Sequence, residues 1–109
     1  MEGFVRVADV RECFARRIKR IEVEGEEMVI VAVYGAIYAV RNRCPHQLFS
    51  GLHMGILRGH EITCPMHGWT FDVRTGRATV GDGSLKCYGV LVLGNEVWVE
   101  KPSTEPEWG

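Results

Sequence analysis

Side-chain amides are scarce in this sequence, with only Asn42, Asn95 and Gln47, a paucity that suits a hot habitat in which amides degrade. Charge of one sign is lacking too. With 13 Lys and Arg against 14 Asp and Glu, the chain has no basic field of the kind that nucleic acid or an anionic membrane requires. No apolar run approaches membrane-spanning length, and the opening "MEGFVRVADVRECF" lacks a basic segment followed by an apolar stretch and a small-residue cleavage site. These absences predict a soluble, cytoplasmic chain with no nucleic-acid or membrane partner. Cysteine is sparse: four in a leaderless chain of 109 residues read as metal ligands and thiols, not as a disulfide framework, because the cytosol is reducing. Sustained helical periodicity is also missing. Only "DVRECFARR" suggests a helix, a single turn capped by Asp9 with Glu12 closing a capping box.

What the chain does contain is a rhythm of short apolar runs bounded by Gly, Asn or Asp: "FVRVADV", "RIKRIEVEG", "MVIVAVYG", "AIYAVRN", "EITCP", "WTFDVRTG", "KCYGVLVLGN" and "EVWVEK". Val, Ile, Tyr, Phe and Trp fill them, as a pleated, half-buried surface favours, so the fold class is all-β. The length supports one core, and the expected division is a single domain over 1–102 followed by a frayed tail over 103–109 that includes Trp108. Three hairpins are predicted, turning at Gly35, at "RTGR" 74–77 and at Gly94–Asn95. The misfit is the stretch 44–61, a long Gly-containing connection within a compact β domain, and such loops are usually functional.

That connection begins with Cys44-x-His46, and the next candidate strand ends in Cys64-x-x-His67, with Pro45 and Pro65 following the cysteines. Two loops facing each other at one end of the sheets would enclose a metal, each proline limiting the backbone freedom lost on binding. Structural zinc takes Cys and His, but its usual spacing pairs like with like, two to five residues apart. A mixed pair from each loop suits a centre with two distinct metal atoms, each loop giving a thiolate to one iron and an imidazole to the other. A structural zinc module for protein contacts is the competing reading.

"CPH" and "CPMHGW", followed by "TFDVRTG" and preceded by "AIYAVRN", resemble the Rieske [2Fe-2S] family, in its ferredoxin branch that serves multicomponent oxygenases, and the similarity runs from about Phe4 to Glu100. The resemblance implies three stacked antiparallel sheets with two cluster-binding loops at one end. It implies one [2Fe-2S] cluster per chain, Cys44 and Cys64 holding one iron and His46 and His67 the other. It further implies a soluble electron carrier and not an enzyme, with redox proteins as partners (a flavin reductase, and an oxygenase or other oxidoreductase) and no small-molecule substrate. The electron would leave by the imidazole edges, and Leu48, Leu52, Met54 and Pro65 would form an apolar rim for docking. A second reading is a small subunit of a stable complex of nitrite-reductase type. An oxygenase catalytic chain is excluded, since no motif of two His and a carboxylate on a helix is present.

The chain also departs from the family pattern. Phe49 and Met66 stand where respiratory relatives carry the cysteines of a clamping disulfide, the first loop is about one residue longer, and Leu48 and Phe49 replace small residues. With Phe49 and Trp69 where high-potential relatives have polar donors, a potential near the low end of the Rieske range is expected. His53 and His60 read as surface or loop histidines, and Cys13 and Cys87 as small apolar fillers, Cys87 alternating with Leu85, Leu91 and Leu93. Phe71 and Trp98 read as core, and Trp69 as core or as a shield for the cluster. "RRIKR" at 16–20 reads as a solvated strand face, and Gly51 and Gly68 as points of close backbone approach.

Overall fold

The computed structural model describes residues 3–43, 51–65 and 68–102. Three antiparallel sheets make up the described fold. The first is built from β1 (Phe4–Asp9), β10 (Val90–Leu93) and β11 (Glu96–Glu100), in the order β1-β11-β10. The middle sheet runs β2-β3-β4-β9, from β2 (Ile18–Val23), β3 (Glu26–Val33), β4 (Ala36–Arg41) and β9 (Cys87–Tyr88). The third runs β5-β6-β7-β8, from β5 (Ile56–Arg58), β6 (Glu61–Thr63), β7 (Thr70–Asp72) and β8 (Ala78–Val80). The tail over 103–109, with Trp108, lies outside the described residues.

Why "MVIVAV" is apolar throughout becomes plain in the packing. Met28, Ile30 and Ala32 face the first sheet and join Ala8, Cys13, Val97 and Val99 in one core. Val29, Val31 and Val33 face the third sheet and join Leu52, Ile62, Phe71 and Val73 in another. A strand covered on both sides loses the alternation that marks a half-exposed one. The turns follow local chemistry: Tyr34 and Gly35 hold φ of 51° and 75°, the pair of positive values that a two-residue type I′ hairpin requires. Gly94 takes φ of 62° between β10 and β11, the first turn position, where a II′ hairpin places glycine. The turn at 74–77 joins β7 to β8 as expected.

Several expectations need correction. The helix α1 (Val10–Arg16) is seven residues long, not a single turn, and its capping box does not form. Asp9 instead accepts from Arg6 Nη2 at 2.8 Å, and Glu12 pairs with Lys19 Nζ at 2.8 Å. A charged donor is the stronger partner for a carboxylate than a neutral helix N–H. "KCYGVLVLGN" is two strands in two sheets, parted at Gly89, whose N–H donates to Glu100 Oε1 at 3.0 Å and whose carbonyl accepts from Glu100 N at 2.9 Å. The break ends the alternation, so Cys87 is exposed and Leu93 is 43% exposed, while Cys13 is the buried filler expected. On β11 the inward phase belongs to Val97 and Val99, so Trp98 lies half-buried, its Nε1 donating to Glu96 Oε1 at 3.2 Å. The stretch 44–61 is not all loop: it holds a 3-10 turn, Leu52–Met54, and strand β5.

"RRIKR" is not a single strand face: Arg16 ends α1, Arg17 caps it at φ 67°, and Ile18 packs against the second core, while Arg20 pairs with Glu27 at 2.9 Å and Lys19 with Glu12. Such surface pairs contribute little stability. The energy resides in the double core. Replacing Ile30 by Ala is expected to cost about 2–5 kcal/mol in a denaturant titration, whereas Leu93→Ala, at an exposed edge, should change stability by less than about 0.5 kcal/mol. Equal losses for the two would remove β3 as the centre of the fold.

Candidate metal centre

The first candidate ligand arm leaves β4 at Arg41, where the first two residues of β3 hold its root. Glu26 takes Arg41 Nη2 on both carboxylate oxygens, at 3.2 Å each, and also accepts the Tyr88 hydroxyl. Burial would raise the Glu26 pKa, but the hydrogen bonds from Tyr88 and Arg41 outweigh it and hold this carboxyl below the usual range. Burial, reinforced by the Glu26 carboxylate, pushes the Tyr88 phenol well above its ordinary value, so its proton stays on. Glu27, the next residue, accepts from Asn42 Nδ2 at 3.3 Å, and its carbonyl accepts from Asn42 N at 3.0 Å. Successive residues of a strand point to opposite faces, so neighbouring carboxylates reach the last residue of β4 and the residue that follows it.

The arm returns through Leu52–Met54 into β5, which pairs with β6, and Cys64 directly follows β6. Ile56 lies opposite Thr63 in this ladder. Gly55 lets the two segments touch: a Cβ there would sit 2.1 Å from the Thr63 carbonyl oxygen. The end of the first arm and the start of the second are therefore parts of one sheet.

The second arm is a tight closure between β6 and β7. Cys64 N donates to the Trp69 carbonyl at 2.7 Å and Gly68 N to the Cys64 carbonyl at 3.1 Å. Gly68 holds φ of 72°, and a Cβ on it would meet nothing within 4 Å, so glycine is needed for conformation and not for crowding among the described atoms. Gly51, at φ −128° and ψ 19°, has a backbone open to any residue. A hydroxyl chain pins the closure. Thr70 Oγ1 donates to the Gly68 carbonyl at 3.2 Å, which spends its one proton, so Thr63 Oγ1 donates to Thr70 Oγ1 at 2.9 Å.

Of the four predicted ligands, the structure places Cys64, only 1% exposed, at the end of β6 within the core shared with Leu52, Ile62 and Phe71. Cys44, His46 and His67 lie outside the described residues, as do Leu48, Phe49 and Met66. The chemistry of Cys64 fits a place in a metal–sulfur centre: a thiol kept from water, in an apolar wall, on a loop closed by its own backbone bonds. Among the described residues no group of three or more His, Cys, Asp or Glu side chains could hold a metal ion. Leu52 is wholly buried and leaves the predicted docking rim, while Met54, 61% exposed, and Pro65 remain on the surface. Phe71 is core, and Trp69 is half-buried and packs against the second core.

Neither remaining histidine is a plain surface residue. His60 lies between Tyr34 and Tyr38, with ring centroids 5.0 and 5.9 Å away. His53 joins Asn42, its backbone N donating to Asn42 Oδ1 at 2.9 Å and its ring Nδ1 lying 3.0 Å from Asn42 Nδ2. Asn42 is wholly buried and was missed from the sequence. Its place two residues before Cys44, at a strand end, was the available signal.

The sequence profile of the Rieske [2Fe-2S] domain matches residues 3–89. The ferredoxin component of the naphthalene 1,2-dioxygenase system of Pseudomonas aeruginosa is 39% identical over 82 residues, which is 73% of this chain and 78% of that protein. The ferredoxin of carbazole 1,9a-dioxygenase from Nocardioides aromaticivorans has a similar solved structure, with a TM-score of 0.86 at 32% identity over 93% of this chain and 100% of that one. A chain from a complex of reduced oxygenase and oxidized ferredoxin in carbazole 1,9a-dioxygenase has a TM-score of 0.84 at 27% identity, over 96% of this chain and 100% of its own.

The root of the first arm generates a pH prediction. Glu26 is more acidic folded than unfolded, so its contribution is present above the unfolded carboxylate value of about 4.3 and is lost as pH falls through the lower folded value. Tyr88→Phe removes one donor and should cost about 1–3 kcal/mol at pH 7. The carboxyl of Glu26, followed by carbon-13 NMR, should then titrate at higher pH, and less stability should be lost on acidification from pH 5 to 3. An unchanged Glu26 titration would refute this account.

Proposed function

The chain belongs to the Rieske [2Fe-2S] domain family, and from that premise we propose that it is an electron-transfer protein, carrying one electron from a flavin reductase to an oxygenase. The family's cofactor, a [2Fe-2S] cluster, supplies one-electron redox chemistry when bound. Cys44 and Cys64 would hold one of its irons and His46 and His67 the other, one cluster per chain. The observation that carries this reading is Cys64, buried at the end of the strand that pairs with the return of the Cys44–His46 arm.

Two neutral imidazoles in place of two thiolates leave such a site less negative, which raises its potential above that of an all-cysteine site. This chain has Phe49 and Met66 where respiratory relatives carry one cysteine in each loop, so no disulfide between the loops can clamp it there. We place its potential toward the low end of the roughly −150 to +300 mV Rieske range. Met54 and Pro65 present apolar surface beside the arms, and a small, transient interface there suits a protein that must release one partner to meet the next.

The relatives described above are ferredoxin components of dioxygenase systems, which favours a carrier over a nitrite-reductase-type subunit or a zinc module. A cytoplasmic setting is part of the proposal. Supporting it, Cys87 exposes a thiol and Cys13 buries one, neither in a disulfide, and no helix among the described residues is long and apolar enough to cross a membrane.

Purified protein should contain iron and acid-labile sulfide in equal amounts, give a Rieske-type EPR signal after dithionite reduction, and couple a reductase to an oxygenase. Cys64→Ser and His67→Ser should each abolish the chromophore while far-UV circular dichroism still reports β structure. Zinc as the sole metal, or a chromophore that survives either substitution, would overturn the proposal.

A further inference from the structure

Asn42 makes more contacts than a strand-end residue needs. Its Oδ1 accepts the His53 backbone N–H at 2.9 Å, and since that N–H can only donate, the orientation of the amide is settled. Nδ2 must then be the donor to Glu27 Oε1 at 3.3 Å and to His53 Nδ1 at 3.0 Å. With Nδ1 accepting, the imidazole proton of His53 sits on Nε2. The Asn42 backbone N–H completes the set by donating to the Glu27 carbonyl at 3.0 Å.

One wholly buried amide thus joins β3 to both ends of the segment that carries Cys44 and His46, across a sequence separation of 11. Truncating it would leave the partly buried His53 N–H without its acceptor and take one donor from the Glu27 carboxylate, which is partly exposed and keeps Arg20; a buried amide's lost hydrogen bonds are costly. The site of that loss matters. Both cores are built from other residues, so the damage would fall on the geometry of the first arm.

We infer that Asn42 is the positioning residue of the first ligand arm: by tying Glu27 to His53 it fixes where the arm leaves and rejoins the sheets, and so governs how firmly the cluster is retained. This rests on the reading of Cys44 and His46 as ligands. Groups that orient ligands from outside the metal's own coordination sphere typically affect metal affinity by about 10- to 100-fold.

The test follows bleaching of the visible spectrum of the holoprotein under excess iron chelator, beside thermal unfolding by far-UV circular dichroism and hydrogen exchange of the peptide 43–58. Asn42→Ala should bleach about 10- to 100-fold faster than the unmutated protein and exchange faster in that peptide, with β10 and β11 unchanged. Val97→Ala, in the remote core, should lower the melting temperature yet leave bleaching within about twofold. Asn42→Asp sets a carboxylate against Glu27 and should bleach at least as fast as Asn42→Ala. Adding Glu27→Gln to Asn42→Asp restores a donor–acceptor pair and should slow bleaching again, a rescue that can be read even if the alanine variant fails to fold. Bleaching of Asn42→Ala within about twofold of the unmutated rate, equal acceleration by Val97→Ala, or no rescue by Glu27→Gln would each overturn the inference. A Cys44→Ser protein that keeps its cluster would instead sink the ligand reading, and this inference with it.

Discussion

Strand β3 presents Met28, Ile30 and Ala32 to one core and Val29, Val31 and Val33 to another, and since neither face can be left to water, a sheet must lie on each side. The rest of the architecture answers that demand. The first sheet and α1 cover one face with Val97, Val99 and Cys13; the third covers the other with Ile62, Phe71 and Val73. The third sheet consists of strands of only three residues each, too short to stand alone. It holds its shape because it has the apolar face of β3 to lie on.

That dependence has a functional side. The small third sheet contains the return of one candidate ligand arm and both ends of the other, so the surface that stabilises it also holds the described ends of both arms in one sheet. At the N-terminal end of β3 the apolar run gives way to Glu26 and Glu27, which reach Arg41 at the end of β4 and Asn42 just beyond it. The strand therefore serves first as the wall between two cores and then, two residues beyond, as the anchor for the arm. Charge is spent locally: acids and bases are close to balanced, surface pairs such as Arg20–Glu27 are satisfied within the chain, and the consequential ion pair is the partly buried one at Arg41. A carrier that meets partners briefly gains from apolar, weakly charged ground near its redox arms, such as Met54 and Pro65 offer.

The sequence reading and the structure part company at definite places. The all-β class and the hairpins at Gly35, 74–77 and Gly94 were legible because each rests on local chemistry: branched residues in runs, and turn residues that tolerate positive φ. The break at Gly89 was not legible, because the strands on either side are equally apolar and only the two sheets to which they belong tell them apart. For the same reason Cys87 and Trp98 were placed inside when β9 and β11 turn other residues inward. The motifs Cys44-x-His46 and Cys64-x-x-His67 stand out by spacing and flanks, whereas Asn42 and His53 do not, since a lone amide and a lone histidine 11 residues apart have no pattern until the fold closes on them.

By itself, then, the sequence determined the all-β class, the hairpin turns and the pairing of Cys with His in two separated motifs, since each of these is fixed by residues near one another along the chain. Only the tertiary structure decided that Cys64 would be sealed from water, that Leu52 would belong to the core and not to the surface, and that Asn42 would bridge Glu27 to His53. Those outcomes depend on which faces meet. Burial is a property of surfaces brought together from distant parts of the chain, and no local pattern records it in advance.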